Sequence, residues 1–127
     1  MALQKTGGFP GYTIDQAAES GLNMVDITLA ANAGGGQANA TLMDAQYNKV
    51  VTVATAGDSL KLIPANAAAI GAIQYLQNIT ATSANVFPNT GDQINALGAN
   101  TAFALAAGKS AIFICVGSGQ WATILSA

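Results

Sequence analysis

Histidine and arginine are missing from the 127 residues, cysteine occurs once, and charge is confined to four lysines and six acids. Without histidine, no Ser-His-Asp or Cys-His pair and no imidazole metal site can be assembled. Without arginine there is no bidentate clamp for phosphate or carboxylate. Lys5, Lys49, Lys61 and Lys109 are scattered. At a net charge of −2 they cannot neutralise a run of phosphates, so no nucleic-acid partner is expected. Cys115 stands alone, which excludes an intrachain disulfide and a zinc cage of thiolates. No apolar run approaches the ~18 residues of a membrane span, and no membrane partner is expected. The text from Met1 to Gly8 lacks the apolar stretch of a secretory signal, so the expectation is a soluble protein made in the cytosol. These absences disfavour an enzyme, and no cofactor, catalytic or metal site is expected.

Small and uncharged polar residues fill the space. Alanine accounts for 27 positions, glycine for 14, and Asn, Gln, Ser and Thr together for 35. Such a surface can form hydrogen bonds but is electrically quiet. Low net charge weakens the repulsion that keeps soluble proteins apart, which suits a chain held in a fixed array better than a free monomer. The length allows one domain with a core that needs no staples.

Gly7, Gly8, Pro10 and Gly11 punctuate the first dozen residues, with Phe9 and Tyr12 as the large anchors. This density of glycine and proline blocks regular structure, so residues 1–23 read as an extended arm or a frayed terminus. Thr13-Ile14-Asp15-Gln16 has the form of a capping box, and Gly21 could end a short helix there.

From residue 24 to 127 the pattern is β. Met24–Thr28 alternates apolar and polar, with Leu29 breaking the phase, Lys49–Val53 is β-branched, and Ser59–Ile63 follows the Gly57-Asp58 turn. Ala38–Tyr47 fits a strand or a short helix. Ile73–Thr80, Asn85–Phe87 and Thr101–Leu105 read as further strands. Ala107-Gly108-Lys109 is expected to close a hairpin into Ala111–Val116, and Gly117-Ser118-Gly119 a second one into Gln120–Leu125. Short strands at this spacing imply an all-β fold, an antiparallel β-sandwich or small, jelly-roll-like barrel. Ala111–Val116 is apolar on both faces, with Ile112, Ile114 and Val116 on one and Phe113 and Cys115 on the other. Such a strand is central in a sandwich or lies beneath a second subunit.

Few motifs survive scrutiny. Gly108-Lys109-Ser110 matches the end of a P-loop, but Phe103 occupies the place of its first glycine. Ser118 has flanking glycines without the nucleophile-elbow spacing. Asp58 and Asp92 each follow a glycine, where turn stabilisation competes with calcium binding or acid–base chemistry. They belong to a faint echo at an offset of 34 residues: Gly57-Asp58-Ser59-Leu60 and Gly91-Asp92-Gln93-Ile94. The echo reads as one turn-strand device used twice. Asn78-Ile79-Thr80 fits the glycosylation pattern, which means little without a secretory signal. Trp121 is a sugar-stacking platform or a cap on the core.

From about Gly57 to the C-terminus the text resembles small β-rich virion proteins of tailed bacteriophages, including head decoration (cement) proteins. The segments that carry the resemblance are Val86–Asn95, Leu105–Phe113 and Gly117–Trp121. It implies a homotrimer on the outer surface of the capsid, at or near three-fold positions, clamping major capsid protein subunits together. In that setting Phe9 and Tyr12 become candidate anchors on the partner. The alternative is a tail or fibre module for receptor or glycan binding, with Trp121 and Tyr75 near a shallow site.

Overall fold

The computed structural model describes residues 26–127. The expected arm of residues 1–23, its anchors Phe9 and Tyr12, and the capping box at Thr13–Gln16 lie outside the described residues.

Among the described residues, ten strands follow one another: β1 (Asp26–Ala30), β2 (Thr41–Leu42), β3 (Tyr47–Thr52), β4 (Ser59–Lys61), β5 (Ile73–Asn78), β6 (Ala84–Phe87), β7 (Gln93–Ile94), β8 (Phe103–Leu105), β9 (Ser110–Gly117) and β10 (Gln120–Leu125). The alanine-rich link contributes a single 3₁₀ turn, Ala67–Ala69, capped by the Asn66 side chain on the Ala68 N–H. The ambiguous stretch Ala38–Tyr47 resolves into the two residues of β2, a loop, and the first residue of β3. The all-β class therefore holds.

The strand order differs from expectation. From β1 to β9 the chain alternates between a six-stranded sheet, ordered β1-β3-β5-β9-β10-β7, and a four-stranded sheet, ordered β2-β4-β6-β8. From β1 to β6, each crossing to the other sheet and back re-enters the first sheet running the same way, whereas β8 returns antiparallel to β6. Hence β1, β3 and β5 are parallel neighbours, as are β2, β4 and β6. Parallel strands need long crossovers; here a strand of the opposite sheet serves as each crossover. Five of the eight pairings are parallel, because β7 also runs parallel to β10. Only β5–β9, β9–β10 and β6–β8 are antiparallel. The antiparallel order implied by a jelly-roll-like sandwich or barrel is thus corrected to two mixed sheets, neither closed on itself. Strand periodicity records which face is buried and is silent about which strand lies alongside.

The same reason explains a second correction. Ala107-Gly108-Lys109 does not close a hairpin: β8 belongs to the four-stranded sheet and β9 to the six-stranded one, so these residues form a corner between sheets. Ser118-Gly119 does close a hairpin, with β10 laid against β9.

Both sheets contribute to one core. Val50, Leu76, Phe113 and Trp121 come from the larger sheet and Leu60, Val86 and Leu105 from the smaller, all fully buried. Phe103 of β8 meets Phe113 of β9 edge to face, with ring centroids 5.8 Å apart. Each such side chain contributes about 1.5–3 kcal/mol through burial. Three inward amides hold the crossovers in place. Gln74 donates to the carbonyls of Met43 (2.6 Å) and Ala45 (3.0 Å) and accepts from the Ile63 N–H (3.0 Å). Asn48 donates to the carbonyls of Ala45 and Tyr75. Asn78 donates to the Thr82 carbonyl and accepts from the backbone and hydroxyl of Thr80. Short loops entering a core carry polar backbone groups that must find partners, and these side chains supply them.

Candidate docking surface

Strand β9 positions the most distinctive surface of the described residues. Its alternation buries Ala111, Phe113 and Cys115 and turns Ile112, Ile114 and Val116 outward. The register of the sheet extends those positions sideways. Tyr47 (β3) pairs with Tyr75 (β5), Tyr75 with Ile112 (β9), and Ile112 with Ile124 (β10). The next row runs from Ile73 through Ile114 to Ala122. A third row, Lys49–Gln77–Ser110, bounds the face on its polar side. The two tyrosine rings stack with centroids 5.1 Å apart and planes 16° from parallel. The Tyr47 hydroxyl donates to Gln77 Oε1 at 3.0 Å.

Nothing in the described chain covers this face. Ile73 is 41% exposed, Val116 51% and Ile124 59%. A shallow groove of about 330 Å³ runs between Tyr75, Ile112, Ile124 and Leu125, with Ser110 and Ser126 at its rim. The rim is fixed by backbone: the Ser126 N–H donates to the Ser110 carbonyl at 2.8 Å, and the Ser110 N–H to Ser126 Oγ at 2.9 Å. Lys49 is the only charged side chain among the outward positions of β3, β5, β9 and β10. The surface can therefore offer van der Waals contact and the release of apolar hydration, and little electrostatic recognition.

Other residues singled out by the sequence fall into place around this face. Phe9 and Tyr12 lie outside the described residues. Trp121 is fully buried, so it caps the core and presents no ring to a sugar. Tyr75 is half-buried within the apolar rows. Cys115 is a buried thiol on the inward side of β9. Asn78 is fully buried and engaged, which removes it as a glycosylation acceptor.

Asp58 and Asp92 act as turn staples, and the echo that contains them is a shared geometry. In each copy the aspartate N–H bonds back three residues, Asp58 to the Thr55 carbonyl and Asp92 to the Asn89 carbonyl. The preceding glycines have φ of 94° and 90°, a region costly for side chains with a Cβ. Each carboxylate then reaches a distant turn. Asp58 accepts from the Gly34 N–H (3.2 Å) as well as from Thr55 (3.0 Å), and Asp92 accepts from the Ala65 N–H (2.8 Å). The likeness ends beyond the strand: Asn66 caps the 3₁₀ turn from an extended backbone, whereas Asn100 is left-handed with φ of 63°.

The sequence signal for the face was the two-sided apolar strand β9. Tyr47, Ile73 and Ile124 were not singled out for it, although each sits on an alternating strand. Only the register shows that their outward positions adjoin. No protein-family model, no curated protein and no solved structure matches the chain.

Proposed function

We propose that the protein is a virion decoration (cement) protein, which binds the outside of a phage head as a homotrimer and stabilises contacts between major capsid protein capsomers. The observation that carries this reading is a wide, charge-poor apolar face on a rigid β scaffold. A face of that kind favours permanent packing over transient, electrostatically steered encounters. The two sheets over one core form, in this reading, a two-layer sandwich built coil by coil. Its stiffness suits a clamp, because a strained lattice must deform the clamp or peel it away before capsomers separate. An interface of ~1,600 Å² is enough for specific binding, and three linked contacts multiply it through avidity. Phe9 and Tyr12 stand as the proposed anchors on the capsid.

The decisive experiment is cryo-electron microscopy of purified heads with and without the protein. Added density over the capsomer junctions, with greater resistance of the decorated heads to heat or internal pressure, is the expected result. Heads that gain no density would remove the proposal. Attachment should also persist at ~1 M salt, where the Debye length falls to about 3 Å and surface ion pairs are screened.

A tail or fibre module is the second reading, favoured by one observation. β1 and β2 are edge strands at the same end of the two sheets, so further coils could stack there. Glycan binding by the isolated chain would select this reading.

A further inference from the structure

We infer that the segment Thr13–Leu22 of the same chain caps the end of the molecule formed by β1 and β2, lying across the free edge of β1. The inference goes beyond the reading above and does not depend on it. Phe9 and Tyr12 precede the segment, so the proposed anchors stay available to a capsid.

Three observations converge on this occupant. The first is a difference between the two edges of the six-stranded sheet. At one edge, β7 is bridged by Ala99, and the Asn100 N–H donates to the Asp92 carbonyl at 2.9 Å, so the chain's own loop closes that side. At the other edge, β1 pairs with β3 alone among the described residues. An open edge turns alternate N–H and C=O groups away from the sheet, and native folds commonly cover it with a helix or loop. The second is the core beneath the open edge. Asn48 and Val50 of β3 are fully buried, whereas on β1 Leu29, in register with Val50, is 8% exposed. Ile27, in register with Asn48, is only half-buried. On the other sheet Thr41 of β2 is half-buried although its register partner Leu60 is fully buried. Burial therefore thins toward β1 and β2 together. The third is the chain itself. The segment leads directly into Asp26, the first residue of β1, so any other occupant would have to share the edge with the chain that enters it. Thr13–Gln16 has the form of a capping box, and Ile14, Ala17, Ala18 and Leu22 recur at the spacing of one side of a helix. An apolar stripe of that kind gains by burying itself on Ile27, Leu29 and Thr41.

The test is nuclear magnetic resonance of the full-length chain with isotope-labelled methyl groups. Cross-peaks from the Ile14 and Leu22 methyls to those of Ile27 and Thr41 are expected. Ile14 and Thr41 are too far apart in sequence to give one by mere neighbourhood. Ile14→Asp should lose these cross-peaks and speed hydrogen exchange at the β1 amides that face away from β3, while the β7 amides keep their wild-type rates. Ile14→Leu should restore both. The cross-peaks of the wild-type chain need no variant, so they decide the matter even where Ile14→Asp fails to fold. A mixture of labelled and unlabelled chains separates contacts within one chain from contacts between chains. Cross-peaks found only between chains assign the edge to the segment of a second copy and overturn the inference. Their absence overturns it too, whether the β1 amides exchange freely or are shielded by another part of the chain or a different protein. The outcome separates from that of the proposed function. A capped chain that ignores heads sinks only the decoration, and decorated heads built from a chain with an uncapped β1 sink only the cap.

Discussion

The two sheets share one core, yet their outward surfaces are composed differently. On the four-stranded sheet, Leu42 pairs with Lys61 and Lys61 with Phe87, while Asn85 pairs with Ala104. Each apolar group there has a charged, amide or methyl neighbour. On the six-stranded sheet, Tyr47, Tyr75, Ile112 and Ile124 run side by side, with Ile73 and Ile114 in the next row. On the four-stranded sheet polar groups interrupt the apolar ones, whereas the six-stranded sheet gathers Lys49, Gln77 and Ser110 into one bounding row and leaves the neighbouring rows apolar. Isolated exposed aliphatics need no explanation, but a contiguous set on one face does. The difference therefore separates a surface broken up by polar groups from one that is apolar over adjoining rows.

The comparison presumes that both faces belong to a single cooperative body, and the core offers the largest lever against that. Phe113→Ala removes the ring that joins β9 to Phe103 of the other sheet. It should cost about 3–5 kcal/mol, read as a shifted midpoint in a single denaturant transition. Two separate transitions would mean that the sheets are independent, and the contrast between their faces would lose its meaning.

A smaller effect sharpens the difference between inside and outside on one strand. Gln74 points inward from β5 and Gln77 outward. Gln74→Ala strips partners from the Ile63 N–H and from the Met43 and Ala45 carbonyls, and should cost about 1–3 kcal/mol. Gln77→Ala removes only the acceptor of the Tyr47 hydroxyl and should stay within about 0.5 kcal/mol. Thermal denaturation of the two variants side by side checks the ordering, and equal losses would contradict it.

The smallest expected effect on folding concerns the faces themselves. Ile124→Lys and Ala104→Lys, both at exposed positions, should each change stability by no more than about 0.5 kcal/mol. A large loss of folding stability in Ile124→Lys alone would make the apolar face part of the chain's own packing.

Much of this was legible residue by residue. The two-sided character of Ala111–Val116 follows from its alternation, and Phe113 and Cys115 are buried while Ile112, Ile114 and Val116 face out. The turn role of Asp58 and Asp92 was readable from the glycine before each, because a short carboxylate beside a left-handed glycine commonly bonds nearby backbone. What escaped were relations between distant residues. Ala107-Gly108-Lys109 has the composition of a hairpin turn and serves as a corner, since a short glycine loop permits either path. Gln74 reads as one of many amides, and its three partners come from loops 11 to 31 residues away.

Composition and alternation by themselves determined that this chain is β-rich, poor in charge, and apolar on both sides of β9, because a side chain's face on a strand depends only on its immediate neighbours. Strand order, the mixed and mostly parallel pairing, and the joining of Tyr47, Tyr75, Ile112 and Ile124 into one row were decided only by tertiary structure. Those features depend on which strands the core draws together across tens of residues, and no local pattern encodes that distance.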